Sequence, residues 1–194
     1  DRGVRFKLAF LQPQNDLNPE LVQEYAGNIL SVTRQVKYSE QNENSLDVVL
    51  FINGLPIFTL ELKNQFTGQN VIHAIHQYKT SRDQKEKLLS FKRCLTHFAV
   101  DTDQVYMTTR LTGLTTYFLP FNKGDKGSSG NPTAPEGKYK THYLWEEIFS
   151  KDMVFDLIGN FIQDVTEEKV DRNGKKRKEE KLIFPRYHQL DTVN

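Results

Sequence analysis

The chain has 194 residues, with 26 Lys and Arg set against 25 Asp and Glu. That length supports one well-buried core with appendages rather than several independent domains. The near balance of charge excludes a general basic field for nucleic acid, so any such contact must be local.

The single cysteine, Cys94, excludes an intrachain disulfide and reads as a reduced core residue of a cytoplasmic protein. No apolar run approaches the roughly 20 residues that span a bilayer, and DRGVRFKLAF is no signal peptide, so no membrane partner is expected. The chain begins without Met and stops where a helical pattern starts, and is therefore read as a piece of a longer polypeptide.

After an irregular start, Asn18 is an N-cap candidate and Pro19 suits a first helical position. Leu21, Val22, Tyr25, Ile29 and Leu30 then follow at helical spacing. Val32, Arg34, Val36 and Tyr38 mark a strand that the polar SEQNENS ends. LDVVLFINGLPIFTLELKN predicts two buried strands joined at Asn53-Gly54, a strong hairpin signal. A helix over about 69–79 puts Val71, Ile72, Ala74, Ile75 and Tyr78 on one side. LTHFAV and QVYMTTR flank the acidic turn DTDQ, and TTYFLPF adds a short strand. The Gly-, Pro- and Ser-rich stretch 123–140 predicts a mobile surface loop that closes the first unit. Two short helices broken near Ser150 come next, and then a charged stretch around Asn173-Gly174 that reads as either a hairpin or a disordered linker.

The chemistry concentrates in the hairpin, where Asp47 opens one apolar strand and Glu61 and Lys63 close the next. Pairing Ile52 with Leu55 sets Asp47 opposite Leu60, and pairing Ile52 with Ile57 sets it opposite Leu62, so either register brings Asp47 within one residue of Glu61. Alternation turns Glu61 and Lys63 to one side of a sheet whose strands lie about 4.8 Å apart. Two close carboxylates in apolar surroundings take up protons unless a cation keeps them ionised. Mg²⁺ fits that role, with Asp47, Glu61 and the Leu62 carbonyl as a partial shell. It would neutralise phosphodiester charge and acidify a water that Lys63 orients or deprotonates. The plainer alternative is an Asp at a strand end, with Glu61 and Lys63 as a solvated ion pair.

Asp47 and then Glu61-Leu62-Lys63 across a hairpin resembles the PD-(D/E)xK nuclease motif, with Leu46 where a Pro usually precedes the Asp. The longer text RQVKYSEQNENSLDVVLFINGLPIFTLELKNQFTGQNVIHAIHQYKTSRD is similar to the N-terminal nuclease region of type I restriction enzyme R subunits. That similarity continues through FKRCLTHFAVDTDQVYMTTRL, FLPFNKG, YLWEEIF and FPRYHQLD.

The resemblance implies an α/β, restriction-endonuclease-like fold: a mixed central sheet flanked by helices, with a C-terminal helical extension. The expected parts are an endonuclease core over 1–122, a flexible loop over 123–140, the helical extension over 141–165, a charged hairpin or linker over 166–181, and the start of a truncated helicase-like motor over 182–194. The implied activity is Mg²⁺-dependent hydrolysis of phosphodiester bonds in double-stranded DNA, coupled in the full-length protein to ATP-dependent translocation. The implied partners are modification and specificity subunits, the latter reading the DNA sequence. The piece alone is expected to be weak or inactive, and a non-catalytic DNA-binding or assembly domain is the alternative.

The family's Gln and Tyr motif falls nearest to Gln77 and Tyr78, although their spacing departs from the commoner Gln-x-x-x-Tyr. Gln77 would position a phosphate or a water, while Tyr78 contacts DNA or packs. His73 and His76 are expected at the surface. FPRYHQL resembles the glutamine motif of superfamily 2 motors, which makes Gln189 the adenine-recognising residue. No GxxxxGK[ST] loop is present, so ATP belongs to the full-length protein only. Lys175, Lys176, Arg177 and Lys178 could touch a DNA backbone, although a solvated linker is the competing account. Glu20 or Glu24 could add a metal ligand, with plain helix-surface charge the favoured account of both, and Arg34 could approach a phosphate or pair with an acidic residue.

Overall fold

The computed structural model describes residues 7–170, 174 and 176–192. The Asn18 side chain accepts the N–H groups of Glu20 and Leu21 and starts α1 (Pro19–Ala26). Ile29 and Leu30 do not continue it. Asn28 turns the chain instead, with its Nδ2 donating to Tyr25 O and Phe10 O. Ile29 N–H then goes to Asn53 Oδ1, and Leu30 opens β1 (Leu30–Lys37).

β2 (Ser45–Ile52) and β3 (Leu55–Leu62) form the expected hairpin. Asn53 and Gly54 both have positive φ, 49° and 83°, as a two-residue type I′ turn requires. Neither simple register holds along its whole length. Ile52 pairs with Leu55 and Phe51 with Pro56, but Leu50 pairs with Phe58, so a bulge absorbs Ile57. The chain then crosses through α2 (Val71–Thr80) to β4 (Thr96–Val100), which lies parallel to β3. β5 (Val105–Thr108) and the two-residue β6 (Leu119–Pro120) complete a six-stranded sheet in the order β1-β2-β3-β4-β5-β6. This mixed sheet flanked by helices is consistent with a restriction-endonuclease-like fold. On α2 the face against the sheet is Val71, Ala74 and Tyr78. Ile72, about 100° round the helix from Val71, is exposed rather than buried.

The two faces of the sheet bury different sets of residues. Val49, Ala99, Val71, Ala74 and Tyr78 fill the α2 side. On the other, Phe58, Phe98, Phe121, Phe149 and Phe184 gather with ring centroids 5.5 to 5.9 Å apart. Each such contact adds about 0.5–1.5 kcal/mol beyond area burial. Phe149 and Phe184 come from beyond the expected boundary at 122, so the C-terminal segments share the core of the strands and do not begin a separate one. Wide π-type turns at Leu144–Ile148 and Leu157–Phe161 flank α3 (Lys151–Asp156). The break at Ser150 is a cap, its side chain accepting Met153 N–H.

The stretch 123–140 is attached to the sheet's loops at Asn131. Buried Asn131 accepts Lys123 N–H and donates to Asp103 O and Asn122 Oδ1. In the charged stretch β7 (Gln163–Val170) pairs antiparallel with β8 (Lys176–Ile183), and α4 (Tyr187–Asp191) follows. Asn173 and Lys175 lie outside the described residues. Among the described residues no helix is long and apolar enough to cross a membrane.

Candidate active site

The β2–β3 bulge decides how the carboxylates meet. Beyond it Val49 faces Thr59 and Val48 faces Leu60, so one step further Asp47 comes opposite Glu61, midway between the two sequence registers. Alternation places both on the α2 face of the sheet. Asp47 Oδ2 accepts Leu62 N–H at 2.8 Å, and Oδ1 accepts from Gln35 Nε2 at 3.2 Å. Gln35 lies opposite Asp47 on β1 with φ 51°, and Ser45 Oγ donates to its Oε1 at 2.9 Å. Lys63 N–H goes to Val100 O on β4, so Leu62, one residue earlier, turns its N–H toward β2, and its carbonyl goes the same way.

Glu61 is not half of a surface pair with Lys63. It is completely buried, and its Oε1 accepts from Arg82 Nε at 2.5 Å. Arg82, just past the end of α2, also donates from Nη2 to Ser45 O at 2.7 Å and from Nη1 to Tyr38 Oη at 3.5 Å. Burial pushes the Glu61 carboxyl up to about 7 even though Arg82 pulls it down, and nearby Asp47 adds to the rise while Lys63 opposes it. Burial also works against the Arg82 charge, but its hydrogen bond and attraction to Glu61 prevail and its pKa is raised. Glu61 Oε2 is left buried with no hydrogen-bond partner.

That orphaned oxygen tests whether a cation belongs here. A buried carboxylate oxygen without a donor is costly, and a metal ion is one of the few things that satisfies it. Asp47, Glu61 and the Leu62 carbonyl are hard oxygen donors of the kind Mg²⁺ takes. Among the described residues no group of three or more His, Cys, Asp or Glu gathers at one point, so backbone oxygen and water would have to complete such a shell. The residues fit the group.

Half-buried Lys63 follows at the strand end, beside a cavity of about 200 Å³ lined by Asn64, Val100, Tyr139 and Trp145. Asp101 at the neighbouring end of β4 is structural. Its carboxylate accepts the N–H groups of Val71, Asp103 and Gln104, tying α2 and the acidic turn to the sheet.

Gln77 is half-buried on α2. Tyr78 is wholly buried, and its hydroxyl is 2.8 Å from Thr59 Oγ1, two residues before Glu61. His73 and His76 are at the surface as expected. Glu24 pairs with Lys7, and Asn28, two residues past α1, accepts from Asn53 Nδ2 at the turn on the far end of β2 from Asp47. Arg34 is exposed on edge strand β1. Among the described residues, Lys176 pairs with Glu168 across β7–β8, as do Lys169 with Glu179 and Lys181 with Glu167. Gln189 is exposed, and its Oε1 accepts Arg186 N–H at the start of its own helix. Sequence reasoning missed Arg82 and Gln35. A buried Glu demands a partner, but no spacing rule picks one 21 residues away.

Residues 3–116 match the family described as type I restriction enzyme R protein N terminus. A protein of Methanocaldococcus jannaschii, named as a type I restriction enzyme endonuclease subunit, is 29% identical over 169 residues. That alignment covers 86% of this chain and 14% of the relative.

Proposed function

The chain belongs to the family of type I restriction enzyme R protein N termini, and from that premise we propose that it is the DNA-cleaving part of such a subunit, hydrolysing phosphodiester bonds of double-stranded DNA with Mg²⁺. The observation that carries this reading is the buried Glu61 Oε2, left without a partner beside Asp47. Strongly perturbed carboxylates of this kind concentrate at functional sites.

Asp47, Glu61 and the Leu62 carbonyl would hold the cation. Bound there, it supplies charge neutralisation at the phosphate and a more acidic water. Asp47 is held in place by Leu62 N–H and Gln35. Glu61 is held by Arg82. Lys63 brings its ammonium to the same strand end, where it orients the attacking water and offsets charge developing on the phosphate oxygens. Gln77 is the further candidate for positioning a phosphate or a water. In the full-length subunit this chemistry is coupled to ATP-dependent translocation by a motor, within a complex that includes modification and specificity subunits. There Gln189 would belong to the adenine site.

The test is cleavage by the full-length complex carrying Asp47→Ala or Lys63→Ala. Cutting is expected to fall at least 100-fold while ATP hydrolysis continues. Cutting at the unaltered rate by either complex would refute the site.

A further inference from the structure

Arg82 occupies a position that a fold strut does not need. It leaves the end of α2 and reaches both strands that carry the carboxylates: Glu61 at the end of β3 through Nε, and the Ser45 carbonyl, two residues before Asp47 on β2, through Nη2. Both groups of this ion pair are almost entirely buried, at 5% and 0% side-chain exposure. Replacing such a pair by apolar residues of similar volume often leaves a fold as stable or more so, so stability alone is a weak reason for placing one here.

We propose that Arg82 is a positioning residue for the carboxylate pair: by binding Glu61 Oε1 and Ser45 O with one guanidinium, it fixes the spacing of the two strand ends and leaves Glu61 Oε2 as the oxygen offered to a cation. The proposal rests on the metal-site reading above. The planar fork matters because its N–H groups leave in set directions and hold two acceptors in one plane, whereas an ammonium is a single mobile charge. A carboxylate held on one oxygen turns less freely, so its second oxygen is presented over a narrower range of directions. Groups that hold metal ligands in this way commonly affect metal affinity 10–100-fold. Tyr38, 3.5 Å from Nη1, closes the third side of the guanidinium.

Arg82→Lys keeps the charge and loses the fork. Mn²⁺ binding to the chain, followed by electron paramagnetic resonance, is expected to weaken roughly 10–100-fold in this variant. In the full-length complex, the Mg²⁺ concentration for half-maximal cleavage is expected to rise in step while KM for DNA stays unchanged. A folded Arg82→Lys chain that binds Mn²⁺ as the unaltered chain does would overturn the proposal.

A second measurement needs no variant. Titrating the unaltered chain with Mg²⁺ is expected to move the ¹⁵N resonance of Arg82 Nε together with the Asp47 and Glu61 carboxyl signals. If those carboxyl signals move and Arg82 Nε does not, the proposal is overturned. Asp47→Ala separates the two levels of the claim. Mn²⁺ binding lost in Asp47→Ala and kept in Arg82→Lys refutes the role of Arg82 alone, whereas binding kept in both refutes the metal site itself.

Discussion

Replacing Glu61 by Gln is expected to stabilise the metal-free chain at pH 8 and to leave it nearly unchanged at pH 5. Burial raises the Glu61 carboxyl from 4.5 to about 7. Between those values the folded chain holds a proton that the unfolded chain has released, so stability is highest below about 4.5 and falls as pH rises toward 7. At about 1.4 kcal/mol per pH unit, ionised Glu61 lowers stability by about 3 kcal/mol once the pH is above 7. Gln has nearly the same shape, its amide oxygen accepts from Arg82 Nε, and it carries no charge to desolvate. At 2–4 °C per kcal/mol for a chain of this size, its melting temperature should exceed that of the unaltered chain by about 6–12 °C at pH 8. Differential scanning calorimetry in a chelator from pH 5 to 8 measures this. Mg²⁺ bound at the proposed site should narrow the gap, because it would stabilise only the folded chain with Glu61. Parallel pH profiles for the two chains would refute the reasoning, since Glu61 would then keep an ordinary proton affinity in the folded state.

Asp101→Ala removes the acceptor for three backbone N–H groups, and urea unfolding should show a loss of about 2–4 kcal/mol. Gly54→Ala meets open space but keeps φ at 83°, so it should cost about 1 kcal/mol in the same assay and leave Mn²⁺ binding unchanged. Lys92 bridges Asp164 on β7 and Glu180 on β8 from an exposed position. Lys92→Ala should leave the urea midpoint of global unfolding unchanged while speeding amide exchange in β7 and β8.

Local signals gave most of the fold. Asn18-Pro19 marks where α1 starts, Asn53-Gly54 marks the type I′ turn, and a Ser at 150 breaks the C-terminal helices, because each acts within a few residues of itself. The misreadings came from tertiary partners. Ile29 and Leu30 kept helical spacing, yet Asn53 captured Ile29 N–H and drew the segment into the sheet. The bulge at Ile57 leaves no mark in the alternation, which allows two simple registers, and the structure lies between them. Composition marks 123–140 as a loop but does not show that Asn131 in its middle binds Lys123 N–H and Asp103 O.

In the candidate site, Asp47, Glu61 and Lys63 were legible as polar residues inside an apolar hairpin. Arg82 was not, because its contact with Glu61 depends on where the end of α2 lands against two strands. Tyr78, read as either a DNA contact or a packing residue, is placed by its 0% exposure in the core.

The central claim is that Asp47 and Glu61 share a divalent cation, and anomalous diffraction from crystals of the chain soaked in Mn²⁺ tests it most directly. The expected result is one strong peak at bonding distance from an Asp47 oxygen and from Glu61 Oε2, about 2.1 Å if the ion sits as Mg²⁺ does, and absent in Asp47→Ala crystals. Saturating Mn²⁺ with no peak between these carboxylates, or a peak that survives Asp47→Ala, would contradict it.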